Sequence, residues 1–240
     1  MSVGTHADHT NNASGAKLLS RTLKAISLLS IDSKNLRGAV IKGCAGPIRE
    51  ALFGCLQRVF MESNFQKIYP TVSDATLFGG IDFARTVNTG KVVRTRGFLN
   101  SSDSVILLSM ADLLDATLIG KYAATIDNSQ NLCFIASDES PEGETIASAF
   151  LERVAFSLTT DGIHYSYNKD INFDDARIKT AKKKLSSIPI TDDVINSLTV
   201  AAKQLGISSL RAPILACYTA RALASFHGND KINEKDVLEA

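Results

Sequence analysis

The chain has 240 residues, more than one average domain and fewer than two large ones, and its 45% apolar content is enough for an ordinary buried core. A balance of 26 basic against 25 acidic residues gives no basic surplus, which argues against nucleic acid as a partner. No apolar stretch approaches the ~20 residues of a membrane span, and Cys44, Cys55, Cys133 and Cys217 lack the spacing of a zinc or disulfide framework, as expected for reduced thiols in a cytosol.

Residues 1–16 are polar, lack the apolar core of a secretion signal and read as a disordered tail. From Lys17 the apolar residues Leu18, Leu19, Leu23, Ile26 and Leu29 recur at helical steps and define one face. The run 38–41, flanked by glycines and too short for a helix, predicts a buried strand. A helix follows Gly46-Pro47, with Pro47 at a tolerated first-turn position. A second strand is predicted at 67–69. Thr86-Val87, the turn Asn88-Thr89-Gly90 and Val92-Val93-Arg94 read as an inserted β-hairpin. The apolar run 104–109 predicts a central parallel strand, a helix follows at about 112–126, and 133–136 forms another strand.

From Asn172 onward only helical periods remain, at 174–185, 191–205, 209–227 and from 233, with Thr191 as an N-cap and Gly228 as a stop. The last of these has barely two turns before Ala240, which suggests a longer natural chain. Strands alternating with helices, followed by helices alone, predict an α/β core at 17–165 and an all-helical part at 172–240.

The order strand, glycine turn, helix at 40–55 is that of a phosphate loop, whose pattern is G-x-x-x-x-G-K-[ST]. Here it reads Gly43-Cys44-Ala45-Gly46-Pro47-Ile48-Arg49-Glu50. Gly43 is in place and Gly46 is an extra glycine. Ile48 stands at the second required glycine, where a β-branched side chain resists the necessary backbone freedom. Arg49 keeps the charge of the lysine with a different donor geometry. Glu50 replaces the magnesium-binding hydroxyl with a carboxylate that repels phosphate. A hydrolysing site also ends the 104–109 strand with acids that hold magnesium; the first carboxylate here is Asp112, read instead as a helix N-terminal acid. Gly43, Gly46 and Arg49 read as a degenerate nucleotide site, with an ordinary strand–turn–helix as the alternative, and lost hydrolysis is the expectation.

Four segments in order resemble the N-terminal AAA+ domain of the magnesium chelatase D subunits. They are Leu36-Arg37-Gly38-Ala39-Val40-Ile41-Lys42-Gly43-Cys44-Ala45-Gly46-Pro47, Thr71-Val72-Ser73-Asp74-Ala75-Thr76-Leu77-Phe78-Gly79-Gly80-Ile81-Asp82, Gly97-Phe98-Leu99 and Gly206-Ile207-Ser208-Ser209-Leu210-Arg211-Ala212-Pro213. The resemblance runs from about Lys17 to the C-terminus. It implies an α/β AAA+ P-loop NTPase-like αβα sandwich with a parallel sheet and a β-hairpin insertion, followed by a small all-helical lid domain.

It also implies a subunit of the complex that inserts magnesium into protoporphyrin IX on the way to chlorophyll and bacteriochlorophyll. The implied partners are the magnesium chelatase I subunit, an AAA+ ATPase, and the porphyrin-binding H subunit, in a ring-like assembly. No cofactor is implied for this chain itself; ATP and Mg2+ belong to the complex. The compartment is the cytoplasm, or the plastid stroma in a plastid-bearing organism. The family continues into an acidic, proline-rich linker and an integrin-like metal-binding domain, neither of which these residues contain.

By position in the family, Arg153 matches an arginine finger acting on a neighbour's γ-phosphate, with a surface salt bridge to Glu152 or Glu139 as the alternative. Arg211 matches the sensor arginine that contacts nucleotide within its own chain, with packing between core and lid as the alternative. Asp138 lies near the usual polar sensor but brings negative charge. Lys91, Arg94 and Arg96 flank the hairpin, as subunit contacts or as an ordinary exposed charge pattern. Two other functions stay open: an ATP-hydrolysing AAA+ module in which Arg49 serves as the lysine, and an AAA+ subunit of another remodelling machine.

Overall fold

The computed structural model describes residues 5–61, 63–100, 103–129 and 131–240. Helix α1 (Thr5–Ile31) and the short α2 (Ser33–Leu36) lead into β1 (Gly38–Lys42), α3 (Pro47–Val59) and β2 (Asn64–Ile68). The insertion follows: α4 (Asp74–Phe78), β3 (Gly79–Ile81), α5 (Phe83–Thr89) and β4 (Arg94–Arg96). The core is completed by β5 (Ser104–Leu108), α6 (Ala116–Asn128), β6 (Leu132–Asp138), α7 (Ser148–Leu151) and β7 (Phe156–Thr159).

Five strands form one parallel sheet in the order β2-β5-β6-β1-β7, so all their C-terminal ends lie along one edge. Alternate strand residues serve opposite faces. Ala39, Ile41, Val105, Leu107, Cys133 and Ile135 pack towards α1 and α3. Val40, Ile106, Leu108, Phe134 and Ala136 pack towards α6 and α7. On that second face Phe134 meets Tyr122 and Phe150 edge to face, with centroids 5.8 and 6.3 Å apart. Each such pair adds about 0.5–1.5 kcal/mol beyond its burial. Burial, and secondarily the Asp74 charge, push the Tyr122 hydroxyl up to about 12.

The lid comprises α8 (Asp175–Leu185), α9 (Asp192–Gln204), α10 (Arg211–His227) and α11 (Glu234–Glu239). Val194, Leu198, Cys217 and Ala220 make its own small core. Ile178, Ala181, Ala222 and Leu223 instead join the core beneath α1. Arg221 Nη2 reaches Asp32 Oδ2 at 2.7 Å, and Asp32 is buried. The lid is thus docked on α1 and α2 by apolar packing and one largely dehydrated ion pair. Asn233 and Asp236 close α11 with a capping box.

Several sequence expectations change in detail. Residues 5–16, expected as a disordered tail, continue α1, while residues 1–4 lie outside the described residues. The apolar half of the helix supplies the nucleus, and extending it costs little per residue; Gly15 already lies so close to the Gly162 carbonyl that a Cβ would sit 2.9 Å from it. The hairpin pairs β3 with β4, whereas Thr86 and Val87 lie in α5. Asp82 caps that helix by accepting from Arg85 N at 3.0 Å, and Gly90 ends it in the left-handed conformation. Strand β5 stands second in the sheet, and β6 holds its centre. Thr191 takes the N-cap position of α9 without a side-chain hydrogen bond, while Gly228 stops α10 as expected. No helix among the described residues is long and apolar enough to cross a membrane.

Candidate functional site

In an open parallel sheet the ligand crevice lies beyond the C-terminal ends of the strands, where the strand order changes direction. Gly43 follows β1 at that edge, next to the end of β6. Its N–H donates to the Asp138 carbonyl at 3.0 Å. Its φ of 152°, and a would-be Cβ only 2.0 Å from Thr160 Oγ1, make glycine obligatory there. Gly46 is the extended N-cap residue of α3 and Pro47 its first residue. The turn therefore keeps the order strand, glycine turn, helix, with α3 starting one residue before Ile48. Pro47 removes one N–H that an anion would use, and Cys44 N already donates to Asp161 Oδ1 at 3.3 Å.

The side chains turn the wrong way for a triphosphate. Ile48 is buried in the core between α3 and the sheet. Arg49 is 7% exposed. Its Nη1 donates to the Gly43 carbonyl at 3.3 Å and lies 2.7 Å from Glu139 Oε1. Its Nη2 is 3.5 Å from Glu50 Oε1, and the guanidinium stands over Phe53 at 5.7 Å. The cation at the lysine position is thus folded back and neutralised by the chain's own carboxylates.

Asp138 is fully buried at the end of β6. It accepts from Ser140 N at 2.9 Å, Ser140 Oγ at 2.5 Å and Thr145 Oγ1 at 3.1 Å. Burial pushes its pKa up. The Ser140 and Thr145 hydrogen bonds, with the charge of Lys42, outweigh that and hold it below the usual carboxylate range. Lys42 Nζ itself donates to the Pro141 carbonyl at 3.2 Å. Asp112 lies in a 3-10 turn (Ala111–Leu113), where its carboxylate accepts from Glu139 N at 3.1 Å. It positions the residue that pairs with Arg49. Two cations, Lys42 and Arg49, thus share this edge with Glu50, Asp138, Glu139 and Asp161. These residues do not fit a bound magnesium–triphosphate: the cation is committed, the metal-holding hydroxyl is absent and the surplus charge is negative.

Arg153 and Arg211 meet elsewhere. Arg153 donates from Nε and Nη2 to Asp127 Oδ2 at 2.9 and 2.7 Å, and from Nη1 to the Ala149 carbonyl at 2.5 Å. Arg211, the first residue of α10, sends Nη2 to Asp127 Oδ1 and Oδ2 at 3.4 and 3.3 Å. The hydrogen bond from Arg153 holds the Asp127 carboxyl below its ordinary range against partial burial, and the charges of both arginines add to that. The three side chains line a cavity of about 230 Å³ with Arg37, Ile214 and Tyr218.

Arg37 precedes β1, so this cavity lies at the sheet edge opposite Gly43, a strand length of about 17 Å away. Arg211 is therefore not beside the chain's own phosphate loop, and its packing between core and lid is what the structure contains. Glu139, named from sequence as an alternative partner of Arg153, pairs with Arg49 instead.

Asp127 and Asp161 were not singled out from the sequence, and Glu139 was named only for a different partner. Only Asp127 carried a signal: an acid in the last turn of a helix opposes the helix dipole and needs a nearby cation. On the hairpin, Lys91, Arg94 and Arg96 are all exposed.

Comparison with known proteins supplies the relatives. The AAA lid domain family matches residues 195–240. The magnesium-chelatase 60 kDa subunit of Cereibacter sphaeroides is 32% identical over 221 residues, and that of Rhodobacter capsulatus 31% over 221 residues. Each alignment covers 92% of this chain, which spans 39% of the length of either relative. Among solved structures, a Cytophaga hutchinsonii protein assigned as an ATPase superposes with a TM-score of 0.61 at 14% identity, over 97% of this chain and 87% of that one. The fold is that of an AAA+ core followed by a helical lid, and the similarity in sequence is to the magnesium chelatase D type.

Proposed function

We propose that this chain, related along 92% of its length to magnesium chelatase D-type subunits, is a non-hydrolysing AAA+ platform that docks the active I-type ATPase within the complex inserting Mg2+ into protoporphyrin IX. The observation that carries this reading is the Arg49–Glu139 pair, 2.7 Å long and buried on the arginine side. A cation held that way is not free to grip a β,γ-phosphate, and freeing it requires breaking a largely dehydrated ion pair. Hydrolysis then falls to the partner, and ATP and Mg2+ belong to the partner's site.

In this reading Arg153 serves the partner. It lies at the sheet edge away from its own phosphate loop, as suits a group that acts across a subunit boundary. A guanidinium stabilises charge on a transferring phosphoryl group and contributes about 10³–10⁵ in rate where it acts as a finger. The platform passes the partner's motion to the porphyrin-binding H subunit.

Phosphate release by the purified chain tests the proposal. The expected result is no turnover above background without an I-type subunit and stimulated turnover with one. Robust release by the chain alone would favour a working ATPase with Arg49 in the lysine role. Failure to co-purify with a magnesium chelatase I subunit would move the chain to another AAA+ machine.

A further inference from the structure

We propose that Asp127 is a positioning residue that makes the presentation of Arg153 depend on the lid, through Arg211. This rests on the reading of Arg153 as a group that serves a neighbouring subunit's phosphates.

Two separate parts of the chain, the segment just after α7 and the first residue of α10, converge on one carboxylate carried by the last turn of α6. A carboxylate at that helix end is disfavoured by the helix dipole, so the cations retain it there. Arg153 holds Asp127 Oδ2 through two nitrogens at 2.9 and 2.7 Å, fixing the plane of its guanidinium. With the Ala149 contact, three of its five N–H donors are used. The two left over sit on different terminal nitrogens, the pair that grips two phosphate oxygens. Arg153 is 17% exposed at the side chain, held in place without being sealed.

Arg211 is the looser partner, at 3.3 and 3.4 Å and 44% exposed. It belongs to the lid, whereas Asp127 and Arg153 belong to the core. The core–core contact is therefore tight and the core–lid contact is the one that yields first when the lid moves. Losing Arg211 leaves the Asp127 carboxylate held by Arg153 alone, so the plane in which the free donors of Arg153 point is less sharply fixed. A misplacement of about 1 Å in such a group costs about a hundredfold in rate. Lid position and finger geometry are thereby linked through a single side chain.

The test measures ATP turnover by the mixed complex of this chain with an I-type AAA+ subunit, per assembled complex, with kcat and KM separated. Arg153→Ala, Asp127→Asn, Arg211→Ala and the double variant Asp127→Asn/Arg211→Ala are compared. The expected pattern is a fall in kcat of about tenfold to a hundredfold for Asp127→Asn with KM for ATP unchanged. Arg211→Ala gives a smaller fall, and the double variant falls no further than Asp127→Asn alone. Asp127→Glu, which keeps the charge with one added methylene, recovers part of the loss.

If Arg153→Ala leaves turnover intact, the finger reading fails and the proposal with it. If Arg153→Ala lowers kcat while Asp127→Asn does not, only the positioning role is overturned. Additive losses in the double variant, or a loss that is wholly one of assembly, overturn it as well.

Discussion

Arg49 Nη1 lies 2.7 Å from Glu139 Oε1, and this contact joins the first turn of α3 to the residue just after β6. Strands β1 and β6 are neighbours in the sheet, so the pair bridges their C-terminal ends. Asp112 accepts from the backbone N–H of Glu139, and Arg49 also donates to the Gly43 carbonyl. The loop, the helix and two strand ends are held by one internal network.

Breaking that network from one side leaves a guanidinium buried with its main partner gone. Glu139→Gln is expected to destabilise the chain by about 1–3 kcal/mol, less than the ~3–5 kcal/mol of a wholly buried pair, because the Glu139 side chain is 29% exposed. Arg49→Met removes the charge while keeping bulk and is expected to be close to neutral. Urea unfolding curves with unchanged slope measure both; an equal loss from the two variants would mean that the pair contributes through its attraction and not through the cost of orphaning Arg49.

Rebuilding the motif alone is not expected to rebuild the site. In Ile48→Gly/Arg49→Lys/Glu50→Ser, the first change empties a buried core position and places glycine in a helix, at a cost of about 3–5 kcal/mol. Glu139, Asp138 and Asp161 remain at the edge. The expected outcome is a lowered unfolding midpoint and no heat of ATP binding by calorimetry. A measurable binding heat would show that the three loop residues alone disarmed the pocket.

Acid sensitivity follows from Asp138 and Asp127, both held below the ordinary carboxylate value of 3.8 in the folded chain. The unfolded chain then binds protons more readily, so stability rises with pH across this window. Their contribution is complete above that ordinary value and is lost as pH falls below it towards the folded values. Asp138→Asn is expected to lower the urea midpoint near pH 7 and to narrow its gap from the parent chain at about pH 3. A gap that stays constant with pH would detach the effect from ionisation.

Much of this molecule is readable from local pattern. The lid helices lie within three residues of their expected bounds, because apolar positions such as Val194, Leu198 and Ala202 recur at helical steps and Gly228 supplies an αL stop. Strands β1, β5 and β6 are near-continuous apolar runs, as doubly covered parallel strands must be. Helix α5 was hidden because Thr86 and Val87 are β-branched and mimic a strand, although Asp82 and Gly90 mark its two ends. The partners of Arg49, Arg153 and Arg211 were out of reach for another reason. They are brought together by sheet order and lid docking, and no spacing along the chain encodes which carboxylate each cation meets.

The two adjacent glycines at the start of the hairpin differ in what they require. Gly79 has φ 79° and ψ 177°, a region open essentially to glycine alone, and a Cβ on it would lie 2.4 Å from the Thr95 carbonyl across the hairpin. Gly80 has only the Ala75 Cβ nearby, at 3.9 Å. Gly79→Ala is therefore expected to cost about 1–3 kcal/mol from backbone strain, with further cost from the clash, and to unpair β3 from β4. Gly80→Ala should stay within about 0.5 kcal/mol of the parent. Because the hairpin projects with Phe83 and Val87 exposed on one face of α5, the loss is local. It is best read as faster limited proteolysis between residues 82 and 93 and weaker co-purification with an I-type subunit. Equal proteolysis of the two variants would mean that the hairpin's shape does not depend on the Gly79 conformation, and unaltered co-purification of Gly79→Ala would remove this insertion from the docking surface.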